Sequence, residues 1–148
     1  MDEKARAEFI AALDSGRGIL AFVALGGVFA EGVDLPGDRL IGAAIVSAGI
    51  PQIGQERETI REINEFGEGE GYDFAYVYPG FRRVMQAAGR VIRTDGDTGV
   101  VMLIDERFLQ EKYTEMMPAW WHVHIVQDPA GVGRAAKAFW AKRFTERG

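Results

Sequence analysis

The chain contains no cysteine. This absence excludes disulfides, thiolate zinc sites, cysteine-ligated iron–sulfur clusters and cysteine nucleophiles within the sequence. No apolar run approaches the ~18 residues that a membrane span needs, and no basic segment followed by an apolar stretch opens the chain. We therefore expect a cytoplasmic protein with no membrane partner.

A second absence concerns phosphate binding. No Gly-x-x-x-x-Gly-Lys-Ser/Thr sequence occurs, so the loop that cradles β and γ phosphates and the hydroxyl that holds Mg²⁺ are missing. Val101–Glu106 imitates the acidic metal-binding motif of phosphate-loop ATPases, although a strand end before a helix has the same pattern. We expect Asp105 to pair with Arg107 and fix this loop. The alternative, a self-contained nucleotide-binding enzyme using Asp105 and Glu106, requires the isolated chain to bind ATP.

Charge and length limit the remaining classes. The chain has 148 residues, and we expect residues 1–148 to form a single domain. Lysine and arginine number 17 against 22 acidic residues, a net charge of −5, so any nucleic-acid contact must be local. The 19 glycines are about twice the usual ~7%. Their clusters beside charged residues are where a site is expected.

Buried strands alternate with helices along the chain. Continuous apolar runs at 18–25, 41–48 and 100–104 predict strands of a mostly parallel sheet. Helical spacing predicts helices at 2–13, 55–66, 81–93 and 129–144, the last with Asp128 as N-cap and Pro129 in first position. The Gly-Glu-Gly-Glu-Gly run at 67–71 predicts a mobile loop. The fold class is therefore α/β, with ligand-binding loops at the carboxyl ends of the strands.

A glycine-rich segment follows the first predicted strand. Residues 26–37 leave that strand through paired glycines and carry Glu31 and Asp34, three positions apart. Glycines let backbone N–H groups approach a ligand, and two acids at this spacing can line one site. A glycine-rich turn with solvated acids accounts for the same pattern.

The predicted helix at 81–93 carries a continuous polar stripe. Its members are Arg82, Gln86, Gly89, Arg90 and Arg93. Glycine inside a helix costs ~1 kcal/mol relative to alanine, which suggests close approach of another group. Arg90 and Arg93 lie near this glycine in sequence and could bind a phosphoryl group. A guanidinium group stays charged and can bind two phosphate oxygens at once. The alternative is an exposed, salt-bridged helix face.

These segments resemble two ordered motifs of superfamily 2 helicases of the XPD-like and DinG-like type. The stretch from Gln86 to Arg93, then Asp97-Thr-Gly99 and the strand ending Leu103–Phe108, resembles motif VI and its downstream strand. Glu31-Gly-Val-Asp34, within residues 26–37, resembles motif V. The resemblance implies a RecA-like second motor domain with three layers, apparently without its first strand–helix unit.

The resemblance also implies residue roles. Arg90 and Arg93 would act as arginine fingers on the ATP phosphates, and Gln86 would sense the γ-phosphate. Gly32, Asp34 and Gly89 would line the nucleotide pocket, while Glu31 would link it to DNA. Arg82 and Arg83 are candidate DNA contacts only because we expect them to be exposed basic residues. ATP with Mg²⁺ would be held mainly by an N-terminal motor domain, and any iron–sulfur cluster would lie outside this chain.

Two further clusters have structural explanations. His122 and His124 lie two apart, but no further metal ligands are near them in sequence, so we expect a structural pair and no metal site. Aromatic residues of the last helix could stack on bases, yet their helical spacing favours packing onto the sheet; they are Phe139, Trp140 and Phe144, beside Val132 and Ala136.

The sequence therefore predicts the C-terminal motor domain of an ATP-dependent DNA helicase. The resemblance implies 5′ to 3′ movement on single-stranded DNA, with an N-terminal motor domain as partner. The isolated chain, without its own phosphate loop, is expected to be inactive. The rival hypothesis is a catalytically silent RecA-like module that binds a partner protein, favoured by the acidic net charge and the missing loop.

Overall fold

The computed structural model describes residues 3–15, 18–27, 40–94 and 96–146. Its helices are α1 (Glu3–Ser15), α2 (Gln55–Ile63), α3 (Glu70–Tyr72), α4 (Tyr78–Ala88), α5 (Glu111–Glu115) and α6 (Pro129–Glu146). A π-helical segment, Asp73–Val77, joins α3 to α4, and a 3₁₀ turn covers Glu106–Leu109. The strands are β1 (Gly42–Val46) and β2 (Val100–Ile104).

The two strands pair in parallel, with Gly42 opposite Val100 and Val46 opposite Ile104. Parallel strands need a long crossover, and here it runs through α2, α3, the π-helical segment and α4. Helix α4 packs against β1, and α2 packs against the π-helical segment. The fold class is thus confirmed as α/β, a small parallel sheet flanked by helices.

The core lies between β1, the helical crossover and the 3₁₀ turn. Edge-to-face ring contacts link Phe108 to Tyr113 and Tyr113 to Phe81, at centroid distances of 5.8 and 6.0 Å. Such aromatic pairs stabilise beyond their buried area. The buried apolar residues are Ile45, Ala48, Ala75, Tyr76, Val77, Phe81, Val84, Ala88, Val91, Phe108 and Tyr113.

The chain forms two compact units, residues 1–114 and 115–148. The second unit contains α6, which begins as expected: Pro129 is its first residue, and the Asp128 carboxylate accepts the Gly131 N–H at 2.7 Å. Phe139 and Phe144 of α6 are 40% and 74% exposed, and their packing onto the sheet stays a prediction. Within α6, the Trp140 ring contacts both of them. The prediction of one domain over 1–148 stays a prediction.

The predicted strand at 18–25 is also wrong. Residues 19–24 have no regular structure, and Leu20 and Phe22 are 80% and 90% exposed. A strand forms only where its N–H and C=O groups find a ladder partner, and this segment has none among the residues described. Apolar character alone does not supply that partner.

The predicted loop at 67–71 is partly helical. A turn at residues 67–69 leads directly into α3, and the Glu65 carboxylate accepts the N–H groups of Gly69 at 2.8 Å and Gly71 at 2.9 Å. Gly71 is buried, and a Cβ there would lie 2.1 Å from the Arg61 carbonyl oxygen. Glycine is therefore needed at position 71 for close packing against α2.

Candidate functional site

The polar stripe predicted over 81–93 lies partly on α4 and partly after it. The continuous helix expected to Arg93 is wrong at its end, because α4 stops at Ala88. Arg82 and Gln86 are exposed and lie four residues apart on the helix. Gly89, Arg90 and Arg93 lie in the segment that follows. The stripe therefore combines a helix face with a turn.

The turn forms because the hydrogen-bond pattern tightens at Gly89. The Gly89 N–H donates to the Met85 carbonyl at 2.8 Å, four residues back. Arg90 and Val91 donate only three residues back, to Ala87 at 3.1 Å and Ala88 at 3.0 Å. Three-residue hydrogen bonds of this kind commonly close a helix. They turn the chain so that Arg90 and Arg93 lie beyond the helix end.

Gly89 is the first residue after α4. It is exposed, and within the described structure an added Cβ would meet only carbonyl oxygens of its own helix, the nearest at 3.2 Å. Its φ of −65° is ordinary, so glycine is not required for the backbone angle. A side chain at position 89 would crowd the Met85 carbonyl oxygen.

Val91 anchors the turn to the core. Its side chain is 3% exposed, while the flanking Arg90 and Ile92 are half-buried. A Cβ on Gly99 would lie 2.3 Å from the Val91 Cγ1 and 2.9 Å from the Ile41 carbonyl oxygen. The segment carrying the arginines therefore packs tightly against the residue just before β2.

Asp97 fixes the backbone at Arg93, the second of the two arginines that follow α4. One carboxylate oxygen, Oδ2, accepts the backbone N–H of Arg93 at 2.9 Å and that of Thr94 at 2.8 Å. These two hydrogen bonds hold the pKa of Asp97 below its usual range. The carboxylate thus stays ionised at neutral pH while it fixes the backbone of Arg93.

Arg82 and Arg83 have different surroundings. Arg82 is exposed on α4, whereas Arg83 is half-buried. The Arg83 Cδ and Nε lie 3.6 Å from the place of a Cβ on Gly26, the first residue of the motif V segment. This contact brings α4 next to the start of that segment. Glu31, Gly32 and Asp34 lie outside the described residues.

The expected pairing of Asp105 with Arg107 is confirmed. Arg107 donates from Nε at 2.8 Å and from Nη2 at 2.6 Å to the two carboxylate oxygens, and its backbone N–H donates at 3.0 Å. The arginine side chain, then burial and the backbone N–H, act on the pKa of Asp105, which falls to about 2. Arg107 Nη2 also lies 3.4 Å from the Ser47 hydroxyl at the end of β1.

The remaining candidates do not form a site. His122 and His124 are both exposed. Across the part of the chain that the structure describes, no group of three or more His, Cys, Asp or Glu side chains could hold a metal ion. No helix among those residues is long and apolar enough to cross a membrane.

Three structural features of this region were not predicted from the sequence. They are the capping carboxylate of Asp97, the π-helical segment before α4, and the backbone approach of Gly49 to Gly80. The spacing Arg-x-x-x-Asp-x-Gly holds a signal for the first, because Asp often accepts nearby backbone N–H groups in turns. Periodicity gives no comparable signal for the other two.

Comparison with known proteins relates this chain to a helicase domain family. Residues 1–124 match the helicase C-terminal domain family. The chain is 36% identical over 96 residues to a probable ATP-dependent helicase of Methanocaldococcus jannaschii, covering 55% of this chain and 14% of that protein. It is 31% identical over 121 residues to the XPD helicase subunit of general transcription and DNA repair factor IIH from Arabidopsis thaliana, covering 77% and 15%. The ATP-dependent DNA helicase DinG of Photobacterium profundum is 34% identical over 89 residues, covering 59% and 13%.

Proposed function

This chain belongs to the helicase C-terminal domain family, of the XPD-like and DinG-like type, and we propose that it is the second motor domain of an ATP-dependent DNA helicase. It spans 13–15% of the length of the three relatives described above. The activity of the whole protein is therefore part of the proposal. The observation that carries it is that Arg90 and Arg93 both follow the end of α4, in a segment held by the buried Val91 and by Asp97.

The proposed task of Arg90 and Arg93 is to stabilise negative charge on the phosphates of ATP. A transferring γ-phosphoryl group spreads charge over its oxygens, and catalysis consists mostly of positioning and electrostatics. Guanidinium groups remain protonated and bind phosphate oxygens in a fixed fork. Arg90 and Arg93 would supply that charge to ATP held by an N-terminal motor domain. Gln86, exposed on the last turn of α4, would contact the γ-phosphate from the same side.

The Mg²⁺ that accompanies ATP does not fit the described residues, which lack a cluster of metal ligands. In this proposal the N-terminal motor domain supplies the phosphate loop and the metal ligands. Any iron–sulfur cluster also belongs to that part of the protein, because this sequence has no cysteine. The isolated chain is then expected not to hydrolyse ATP.

Single-stranded DNA is the proposed track, with movement 5′ to 3′. Arg82 is exposed on α4 and would contact phosphates, while Arg83 would act beside the motif V segment. Glu31 and Asp34 of that segment would link the nucleotide pocket to the DNA, and Gly32 would line that pocket. The roles of Glu31, Gly32 and Asp34 are supported by their place in motif V, that of Arg82 by its exposure and that of Arg83 by its contact with Gly26.

The proposal is tested in the intact two-domain protein with Arg90→Ala and Arg93→Ala. An arginine finger contributes roughly 10³ to 10⁵ in rate, so DNA-stimulated ATP turnover should fall by that order while the variants remain folded. Arg134→Ala is the matched control, since Arg134 is 73% exposed on α6, away from the motifs in sequence. Near-normal turnover in both finger variants would contradict the proposal and favour the silent interaction module.

A further inference from the structure

Three hydrogen bonds connect Asp97 to Arg93 and Thr94. The Asp97 Oδ2 accepts the N–H groups of Arg93 and Thr94, at 2.9 and 2.8 Å, and the Asp97 N–H donates to the Thr94 carbonyl at 3.0 Å. The first two involve a charged acceptor, which makes them stronger than bonds between neutral groups. The carboxylate therefore controls the backbone path at Arg93.

The other side of Asp97 is fixed to the sheet. Two residues later Gly99 packs against Val91 and Ile41, and Val100 donates its N–H to the Ile41 carbonyl at 3.0 Å as β2 begins. Arg93 has left α4 and is not in a strand. Without Asp97, the N–H groups of Arg93 and Thr94 would lose their acceptor, and the chain between Val91 and Gly99 would lose its internal brace.

We propose that Asp97 is a positioning residue for ATP hydrolysis, which places the Arg93 guanidinium by holding the Arg93 backbone. This inference rests on the proposed role of Arg93 and extends it to a residue that does not touch the nucleotide. A misplacement of about 1 Å can cost roughly 10²-fold in rate. Loss of the two hydrogen bonds that hold the Arg93 backbone should therefore lower ATP turnover. A lowered pKa agrees with a carboxylate that stays ionised at working pH.

The experiment measures DNA-stimulated ATP hydrolysis by the intact two-domain protein. Asp97→Ala should lower kcat by roughly 10- to 100-fold with little change in KM for ATP. Asp97→Asn keeps an acceptor oxygen and should recover most of kcat. Asp128→Ala is the matched control, because Asp128 also accepts a backbone N–H, at the start of α6. That control should leave kcat unchanged.

A double-mutant cycle separates positioning from general loss of structure. If Asp97 acts through Arg93, Asp97→Ala should add little to the effect of Arg93→Ala. If the effects of the two substitutions on kcat multiply in the double variant, the inference is overturned. An equal loss of kcat in Asp97→Asn and Asp97→Ala would also overturn it. If Asp97→Ala fails to fold, Asp97→Glu, which keeps the charge but moves the acceptor by one methylene group, takes its place in the same cycle.

The cycle also separates this inference from the proposed function. A large loss in Arg93→Ala with normal turnover in Asp97→Ala rejects the positioning role and leaves the finger role standing. Normal turnover in Arg93→Ala rejects the finger role, and the positioning role falls with it.

Discussion

Gly49 and Gly80 meet backbone against backbone. A Cβ on Gly49 would lie 2.7 Å from the Gly80 carbonyl oxygen, and a Cβ on Gly80 would lie 2.9 Å from the Ala48 carbonyl oxygen and 3.0 Å from the Ile50 nitrogen. Gly49 also has a φ of +68°, in the region that favours glycine. This contact joins the segment after β1 to the first turn of α4, the helix that leads to the arginines.

Gly80→Ala should destabilise the chain by about 1–2 kcal/mol. Overpacking costs ~1–3 kcal/mol, and the better helix propensity of alanine returns up to ~1 kcal/mol. Urea unfolding followed by circular dichroism measures the difference. Gly133→Ala in α6 is the control, because nothing among the described residues comes within 4 Å of a Cβ there; it should not destabilise the chain, since alanine favours a helix more than glycine does. Equal stabilities of the two variants would contradict the close approach.

Asp105→Asn should remove a pH-dependent part of the stability. The pKa of Asp105 is lowered to about 2, so the ionised carboxylate stabilises the fold above the ordinary value near 3.8, and this stabilisation is lost as pH falls from about 4 to 2. We expect the variant to be less stable by about 1–2 kcal/mol at pH 7, a value reduced for solvent screening at this surface pair.

The measurement is the free energy of unfolding of both proteins between pH 7 and pH 2.5. The difference between wild type and Asp105→Asn should shrink toward the acid end. Glu106→Gln is the control, since Glu106 is the exposed neighbour, and its difference from wild type should stay small at neutral pH. A constant gap for Asp105→Asn across this range would speak against the Arg107 pairing as its cause.

The regular elements of the fold followed from the sequence where pattern and partner coincide. The apolar run at 100–104 is β2, and the run at 41–48 contains β1, because each supplies the other's ladder. Asp128 and Pro129 begin α6 as their chemistry predicts. The apolar run at 18–25 has the same composition, yet strand formation depends on a neighbour that composition does not encode.

The candidate site was predictable in residue type and less so in geometry. The spacing of Gln86, Gly89, Arg90 and Arg93 identified the family, which the match over residues 1–124 confirms. It placed all four on one helix, whereas α4 ends at Ala88. Tertiary contacts decide that end: Asp97 accepts the N–H of Arg93, and Val91 packs against Gly99.

Tyr76→Phe should lower the urea midpoint of unfolding more than Tyr78→Phe. The buried Tyr76 hydroxyl donates to the Glu58 carboxylate across the contact between α2 and the π-helical segment, while Tyr78 is 46% exposed. Removing the hydroxyl leaves the half-buried carboxylate without that donor. Equal midpoints for the two variants would indicate that the hydrogen bond contributes nothing to stability.

The same hydrogen bond should be visible in a spectrophotometric titration. Donation to Glu58, and then burial, raise the pKa of Tyr76 above its usual value of 10.0. The tyrosinate absorbance of wild type minus that of Tyr76→Phe, which removes the contribution of the other tyrosines, should therefore have its midpoint above pH 10.0. Loss of an early-titrating component instead would contradict the contact.

Arg82→Ala should weaken single-stranded DNA binding by the intact two-domain protein and make it less salt-dependent. Each phosphate contact on a single strand contributes about −0.7 to the slope of log Kobs against log salt. If exposed Arg82 makes one such contact, its removal should raise the slope by about that amount for oligonucleotides of any sequence. Arg83 is a poorer choice, because its contact with Gly26 would also be lost. Lys137→Ala, an exposed cation on α6, should leave the slope unchanged, so equal slopes for Arg82→Ala and Lys137→Ala would remove Arg82 from the DNA track.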